Sequence, residues 1–344
     1  MSIDIQQLQK KHLFPLWESL HGLVPNQPEP QATPYQWHYA EVKDALLDIG
    51  SKIDIERAER RVLVMENPSL PPGSSRITDT LYAGMQMVLP GEIAPLHRHT
   101  PTALRFILEA EGGNTTVDGE KTTLHPGDFI ITPSWRWHQH QNDTDKPIFW
   151  LDGLDAPLLH FLKAGFRQDR LPAGQTLEPR PEGDALARYG TGLIPLEYRP
   201  TGQSQPSPIF NYPYQRTREA LEQLKRHSEI DPASAISLRY INPANGDWAI
   251  PTLGTVITLL PRGFTSLYQR GNASQVLVVM EGELEVRLTG GIHFRLKPKD
   301  IFALPSWLSY QLSAPDGDTV CFSFSDRPVL EKLGVWRHEI TPEG

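Results

Sequence analysis

The order of apolar and polar positions predicts two stretches of short strands and few helices. Residues 40–49 carry apolar side chains at a 3.6-residue spacing, and residues 54–61 and 217–226 also have helical character. Between residues 81 and 155, strand-like apolar runs are separated by Pro-Gly, Gly-Gly and Asp-Gly pairs, and strand-like runs return from residue 252 to 324. Closely spaced strands with such punctuation are typical of an antiparallel sandwich or barrel.

The second stretch of strands repeats the first. Pro126-Gly127-Asp128 corresponds to Pro298-Lys299-Asp300, and Pro133-Ser134-Trp135 corresponds to Pro305-Ser306-Trp307. Matches in the same order and at a nearly constant offset indicate an internal duplication. We therefore predict two barrels of similar architecture.

Composition fits this arrangement. A chain of 344 residues with 39% hydrophobic residues can bury two cores, and its 32 prolines and 26 glycines favour many turns. We expect a helical N-terminal arm at residues 1–80 and a first barrel at 81–165. A connector with one helix follows at 166–245, and a second barrel at 246–344 completes the chain.

Charge and cysteine content exclude several classes of protein. A net charge of −8 disfavours a nucleic-acid surface, which needs clustered Lys and Arg. The single cysteine, Cys321, rules out an intramolecular disulfide and is compatible with a reducing compartment. Neither a signal peptide nor an apolar run of about 20 residues is visible. We expect a cytoplasmic protein with no membrane or nucleic-acid partner.

Three histidines form the candidate metal site. His97 and His99 are two residues apart in a predicted strand, so both side chains point to the same face. His138 follows about forty residues later, where an adjoining strand begins. Three neutral imidazoles facing the interior of one small barrel suit Fe, Cu, Ni or Zn and leave coordination positions open.

The second barrel serves as an internal comparison for this site. Aligning the repeats places Tyr268 at the position of His97, Arg270 at that of His99 and Tyr310 at that of His138. These residues do not make a good metal-binding set, so we expect the second barrel to be metal-free. Because the ligands occur in one copy only, they are not simply what the fold requires.

Two longer patterns carry a family resemblance. Gly91-x5-His97-x-His99 and the segment from Gly127 to Asn142 resemble the paired motifs of the cupin superfamily, except that Leu104 replaces the usual glutamate. With residues 80–86, 103–106 and 151–155, the chain resembles the gentisate 1,2-dioxygenases over nearly its whole length. Leucine in place of glutamate is the pattern of that family. The resemblance implies an all-β-dominated bicupin, with two double-stranded β-helix (jelly-roll) barrels, an N-terminal helical segment and a helix-containing connector.

The resemblance also implies a reaction and roles for individual residues. Fe(II) held by His97, His99 and His138 would bind gentisate and O2, and the ring would open to maleylpyruvate. The implied catalytic residues are Arg105, His140 and Asp152. The implied substrate-binding residues are Arg57, Arg61, Tyr82, Gln86, Arg105 and His140, with Arg57 and Arg61 on one face of the predicted helix. The partners implied are a small aromatic hydroxy acid, O2 and further copies of this chain in a homotetramer.

The residues leave other interpretations open. Salicylate or 1-hydroxy-2-naphthoate can replace gentisate as the substrate. A bicupin can also bind a small acid or sugar without turnover, and an isomerase-type cupin holds Zn or Mn and consumes no O2. Three retained ligands beside several arginines favour catalysis.

Overall fold

The structure is a computed structural model that describes residues 5–195, 197 and 205–341. A 3-10 turn spans Leu16–Glu18, and the helices are α1 (Ile5–Gln9), α2 (Leu20–Leu23), α3 (Tyr39–Gly50), α4 (Ile55–Ala58), α5 (Ala156–Phe161), α6 (Asp184–Tyr189), α7 (Tyr214–His227) and α8 (Arg327–Lys332). The helices predicted at residues 40–49 and 217–226 are confirmed as α3 and α7, each slightly longer than predicted.

Strands make up most of the remaining regular structure. In the first half they are β1 (Tyr35–Trp37), β2 (Arg61–Val64), β3 (Tyr82–Val88), β4 (Ile93–His99), β5 (Ala103–Glu109), β6 (Asn114–Val117), β7 (Glu120–Thr123), β8 (Phe129–Thr132), β9 (His138–Gln141), β10 (Ile148–Leu154), β11 (Arg167–Gln168) and β12 (Asn211–Tyr212). In the second half they are β13 (Ile236–Arg239), β14 (Gly254–Leu260), β15 (Phe264–Thr265), β16 (Tyr268–Gly271), β17 (Gln275–Glu281), β18 (Leu284–Leu288), β19 (His293–Leu296), β20 (Ile301–Leu304), β21 (Tyr310–Ala314), β22 (Thr319–Ser325) and β23 (His338–Thr341).

The strands form two jelly-roll barrels, each built from two antiparallel sheets. The first barrel has the strand orders β12-β8-β5-β10-β3-β2 and β11-β4-β9-β6-β7. The second has β1-β20-β17-β22-β14-β13 and β19-β18-β21-β16-β23, with β15 beside β21. The predicted fold class, a β-dominated bicupin with few helices, is confirmed.

Each barrel is completed by a segment that precedes the other barrel. Strand β1, from the N-terminal arm, pairs with β20 of the second barrel, and β12, from the connector, pairs with β8 of the first. The helices that follow are capped across the same exchange. The Asp300 carboxylate accepts the backbone N–H of Tyr39 at the start of α3 (2.9 Å), and Asp128 accepts that of Tyr214 at the start of α7 (2.8 Å).

A second reciprocal pair of contacts joins the barrels. Asp155 accepts the hydroxyl of Thr252 at 2.6 Å, and Asp326 accepts the hydroxyl of Thr80 at 2.5 Å. Burial raises the pKa of both carboxyl groups to about 6. The duplication therefore includes the segments before each barrel. The four-part division at residues 80, 165 and 245 stays a prediction.

One apolar cluster spans both barrels, and Phe106 of the first stacks on Phe322 of the second with ring centroids 4.3 Å apart. Arg105 alternates with Phe106 along β5, so its side chain lies on the opposite face of that sheet, toward the interior of the first barrel. No helix among the described residues has the length and apolar character needed to cross a membrane.

The strand register corrects our alignment of the repeats by one residue. His97 pairs with His138 across β4 and β9, whereas Gln269 pairs with Tyr310 across β16 and β21. Gln269, and not Tyr268, therefore corresponds to His97. By the same register Gly271, and not Arg270, corresponds to His99. That the second barrel is metal-free stays a prediction, although the corrected positions offer no imidazole either.

Candidate metal centre and active site

The three predicted ligands meet inside the first barrel. Strand β4 carries His97 and His99 on one face, and the neighbouring strand β9 brings in His138. The ring centroids lie 3.9 Å apart for His97 and His138, 4.9 Å for His99 and His138, and 5.2 Å for His97 and His99. One nitrogen of each ring lies within 4.8 Å of the others, close enough for all three to share one metal ion.

Backbone carbonyls orient these rings for metal binding. The Nδ1 atoms of His99 and His138 lie 2.6 and 2.9 Å from the carbonyl oxygens of Pro101 and Arg136. An Nδ1–H that donates to a carbonyl leaves a lone pair on Nε2. The Nε2 atom of His138 is buried and has no hydrogen-bond partner. An orphaned lone pair of this kind fits a divalent metal ion, and three imidazoles suit a transition metal.

Burial keeps these imidazoles neutral. It lowers the pKa of His97 to about 2 and of His99 to about 4, and it holds the pKa of His138 well below its usual range. Like charges on neighbouring arginines act in the same direction. At neutral pH a metal ion would therefore not compete with protons for these nitrogens.

A row of polar groups lies beside the metal ligands. His140 follows His138 by two residues and faces the same interior, with the two ring centroids 5.9 Å apart. Its Nε2 atom is buried without a partner, and burial lowers its pKa well below the usual value. The structure thus places His140 where the sequence predicts it.

Arg105 and Asp152 face each other across β5 and β10. The guanidinium Nε lies 3.3 Å from the carboxylate, and both side chains are buried. Burial raises the pKa of Asp152 to about 6, against the opposing effect of Arg105 and of a hydrogen bond from Trp150. A buried cation beside a barely stabilised carboxylate is able to bind an anionic ligand.

Two further predicted residues lie on β3, next to β10. Gln86 pairs with Trp150, and its buried amide nitrogen has no partner. Tyr82 is half-buried at the start of the strand, and its hydroxyl lies so close to Gly84 that a Cβ there would approach it to 2.8 Å. Both residues therefore lie on a strand that forms part of the wall of the first barrel's interior.

The structure brings a different arginine to the histidines from the two that were predicted. Helix α4 begins with Asp54 as its cap but ends at Ala58, so Arg57 and Arg61 do not share a helical face. Arg57 is exposed, whereas Arg61 is buried and bonds Glu92 at 2.5 Å and the carbonyl of Ile53 at 2.8 Å.

Arg60 is the residue that sequence reasoning missed. Its Nη2 lies 2.5 Å from Nδ1 of His97 and 3.1 Å from the Pro95 carbonyl, and burial beside Arg105 lowers its pKa to about 10. The sequence feature that distinguishes Arg60 from Arg61 is the alternation of side chains between the two faces of β2 and the residue before it. Arg60 is in phase with Val62, which faces Gly84, whereas Arg61 is in phase with Leu63 of the core.

The same alternation corrects the position that lacks a glutamate. Leu104 lies in the apolar cluster between the barrels, together with Phe106. Arg105 faces the site, so Ala103, two residues earlier on the same strand, also occupies an inward position. The conclusion that no carboxylate completes the ligand set at this position is unchanged.

An open cavity of about 540 Å³ borders His99. Leu154, Phe166 and Arg167 also line it, and Arg167 forms an ion pair with Glu59 at 2.9 Å. Its size is that of a small-molecule site, and its wall includes one of the three candidate metal ligands.

Comparison with known proteins agrees with this geometry. The family model of the cupin domain matches residues 84–153. The chain is 45% identical to gentisate 1,2-dioxygenase 1 of Aquipseudomonas alcaligenes over 96% of this chain and 94% of that protein. It is 39% identical to a gentisate 1,2-dioxygenase of a Streptomyces species over 94% of this chain and 91% of that protein.

Solved structures agree as well. A point mutant of salicylate 1,2-dioxygenase from Pseudoaminobacter salicylatoxidans, in complex with gentisate, is similar with a TM-score of 0.89. The two proteins are 33% identical, and the match covers 98% of this chain and 94% of that one.

Proposed function

The chain belongs to the gentisate 1,2-dioxygenase family of ring-cleaving cupin enzymes, and on that premise we propose that it is an Fe(II)-dependent dioxygenase that converts gentisate and O2 to maleylpyruvate. The observation that carries the proposal is the composition of the first barrel's interior. Three neutral imidazoles, each with one nitrogen within 4.8 Å of the others, lie beside a buried arginine, a buried aspartate and a fourth imidazole. A metal, an anionic substrate and a proton each have a suitable group there.

Two arginines are available for the substrate carboxylate. Arg105 is buried and Arg60 half-buried, and neither positive charge is fully neutralised within the site. A guanidinium offers parallel N–H donors that match the two oxygens of a carboxylate. We assign Arg60, in place of Arg57 and Arg61, to this contact.

The remaining polar groups would orient the ring and handle its protons. His140 is neutral, so its Nε2 can exchange a hydrogen bond with a phenol oxygen. Asp152, with a pKa of about 6, can accept a hydrogen bond from a ring hydroxyl, and Gln86 and Tyr82 offer further donors. Holding both reactants in a fixed orientation is the main contribution of these side chains.

Iron(II) on His97, His99 and His138 would supply the redox chemistry that lets an electron-rich phenolate react with O2. The chain itself supplies three neutral imidazole ligands and no carboxylate ligand. Such a set keeps the full charge of the ion, which favours a chelating anion as the substrate.

Salicylate is the second candidate substrate. One similar solved structure is that of a salicylate 1,2-dioxygenase variant, although its complex contains gentisate. The two acids differ by the 5-hydroxyl group, so the preference between them depends on the polar groups of the pocket wall. 1-Hydroxy-2-naphthoate needs more room along the same wall.

The test is O2 uptake by full-length protein loaded anaerobically with Fe(II) and given gentisate, with absorbance of the ring-opened product followed in parallel. We expect one O2 consumed for each product formed, and loss of both signals in His99→Ala. Uptake with salicylate but not gentisate would reverse the order of the two substrates. No uptake with either acid or with 1-hydroxy-2-naphthoate would remove the dioxygenase function.

We also propose a homotetramer in the cytoplasm. The arm before α3 supports an assembly, because large apolar side chains there are exposed: Leu13, Phe14, Leu16, Trp17, Leu20, Leu23 and Val24. Sedimentation of the purified full-length chain would give its mass, and a monomer would contradict this part of the proposal.

A further inference from the structure

We propose that Thr115 is a positioning residue for His140, holding its ring so that Nε2 points at the metal ligands and the bound substrate. The inference rests on the function proposed above. Thr115 itself lies behind the imidazole and acts through it.

The contact is a direct one between facing strands. Thr115 on β6 pairs with His140 on β9, so both side chains lie on the same inward face. The Thr115 hydroxyl and His140 Nδ1 are 2.9 Å apart, and both residues are fully buried. Because Nδ1 is engaged on this side, Nε2 is left unpartnered on the other side.

This hydrogen bond restrains the ring in a way that packing alone does not. An imidazole that rotates by half a turn about its Cβ–Cγ bond exchanges a nitrogen for a carbon at each position. With Thr115 in place, that rotation leaves a buried hydroxyl without a partner, which is unfavourable. Trp150 also packs against the ring, with the centroids 5.1 Å apart.

The second barrel shows that the fold does not need this polar pair. In the register of that barrel, Val286 and Leu312 occupy the positions of Thr115 and His140 and pair across β18 and β21. Both positions are therefore compatible with apolar side chains. The polar pair occurs in the barrel that has the histidine cluster, which indicates a role in the site.

The threonine also allows a nearly isosteric test. Thr115→Val removes the hydroxyl and places at this position the residue that the second barrel already has. Thr115→Ser keeps the hydroxyl and removes a methyl group. Thr116→Val is a matched control, because Thr116 lies on the same strand but points to the opposite face.

We expect Thr115→Val to lower kcat with gentisate about three- to tenfold, the effect of losing one neutral hydrogen bond. KM should change less than about twofold, because Thr115 does not contact the substrate. Thr115→Ser should regain most of the loss, and Thr116→Val should behave like the wild type. In a His140→Ala background, Thr115→Val should cause no further loss.

A spectroscopic measurement decides the inference without turnover. In full-length protein labelled with 15N-histidine and loaded with zinc, the His140 ring nitrogens are assigned by their absence in His140→Ala. We expect Thr115→Val to shift both His140 nitrogens and Thr115→Ser to leave them close to the wild-type positions. The iron-loaded variants should bind the same amount of metal as the wild type.

Two results would overturn the inference. One is a Thr115→Val protein whose His140 nitrogens are unshifted, and the other is a kinetic loss that persists in the His140→Ala background. Failure of the proposed function is recognised separately, because the wild-type protein would then turn over none of the three acids. The His140 spectra would still decide the role of Thr115.

Discussion

Three buried histidines and one half-buried histidine share the interior face of two neighbouring strands, and desolvation sets their chemistry. His97, His99, His138 and His140 lie where desolvation disfavours the imidazolium form, and the nearby arginines add to that effect. A site of neutral imidazoles binds a metal without first releasing protons. The acidic residues behave in the opposite sense, because burial favours the protonated form of Asp152.

Metal affinity should therefore depend little on pH between 7.5 and 5.5. Three exposed histidines with ordinary pKa values near 6.5 would lose about tenfold each over this range. With the pKa of His97 and His99 already at about 2 and 4, we expect less than about a threefold change. Calorimetric titration with zinc at both pH values measures this, and a hundredfold loss would contradict it.

The metal-free protein should lose stability in the same range. The folded pKa values lie below the ordinary value near 6.5, so the unfolded chain binds protons first as the pH falls. Stability that the histidines contribute is therefore present above about pH 6.5 and decreases below it. Asp152, Asp155 and Asp326, with pKa values of about 6, oppose this between about pH 6 and 4.

The adjacent arginines Arg60 and Arg61 should give opposite phenotypes. Arg60→Ala removes a cation of the pocket, so we expect KM for gentisate to rise about 10- to 100-fold with the melting temperature little changed. Arg61→Ala leaves the Glu92 carboxylate without its cationic partner, so the free energy of unfolding should fall by about 3 kcal/mol. Arg57→Ala, which alters an exposed side chain, is the matched control.

Steady-state kinetics and denaturant unfolding of the three variants test this assignment. A large rise in KM in Arg61→Ala, with normal kinetics in Arg60→Ala, would restore the role that the sequence predicts for Arg61.

At the scale of elements, two loops with the same sequence pattern cap two helices across the molecule. Helix α3 has no capping side chain of its own, and Asp300 of the second barrel supplies the acceptor for the Tyr39 N–H. The same carboxylate accepts from Gln36 and from the Lys297 backbone. The buried Asp300 side chain of the second barrel thus fixes where helix α3 of the N-terminal arm begins.

Asp300→Ala should therefore destabilise the protein by about 2 kcal/mol without affecting the metal site. Scanning calorimetry measures the fall in melting temperature, and Asp300→Asn, which keeps an acceptor oxygen, should lose less. Bound metal should stay equal in all three proteins. An alanine variant as stable as the wild type would show that the cap contributes nothing.

At the scale of the whole molecule, the two barrels depend on each other. Strand β12 from the connector completes the first barrel, and β1 from the arm completes the second. Phe106 and Phe322 stack in the apolar cluster between them. Either barrel, if separated from the other, would expose its share of this apolar cluster to water.

We expect residues 81–165, expressed alone, to lack a stable fold and to have no near-ultraviolet circular dichroism. Co-expression of residues 1–165 with 166–344 should restore a folded complex that binds the metal. A soluble 81–165 fragment with cooperative unfolding would contradict the interdependence of the barrels. The full-length chain is the reference in both measurements.

Much of this protein is predictable from local pattern. Strand punctuation and the repeated Pro-Ser-Trp motif predict two barrels, and the spacing of His97 and His99 predicts that their side chains share a face. Helices α3 and α7 follow from their apolar period and differ from the prediction by a few residues at their ends. These features depend on residues close in sequence, whose geometry the backbone repeats fix.

What the sequence by itself determined is the kind of fold, the duplication and the grouping of three histidines as candidate metal ligands, because each is recorded in a local period or a motif. The tertiary structure alone decided which arginine reaches the histidines, which residue stands in for the missing glutamate and which residues of the second barrel correspond to the ligands. In each case the prediction was one residue away, and in a strand a shift of one residue moves a side chain to the opposite face. The exchange of β1 and β12 between barrels was likewise decided by long-range pairing, since hydrogen bonds between strands depend on which edges meet and leave no local period in the sequence.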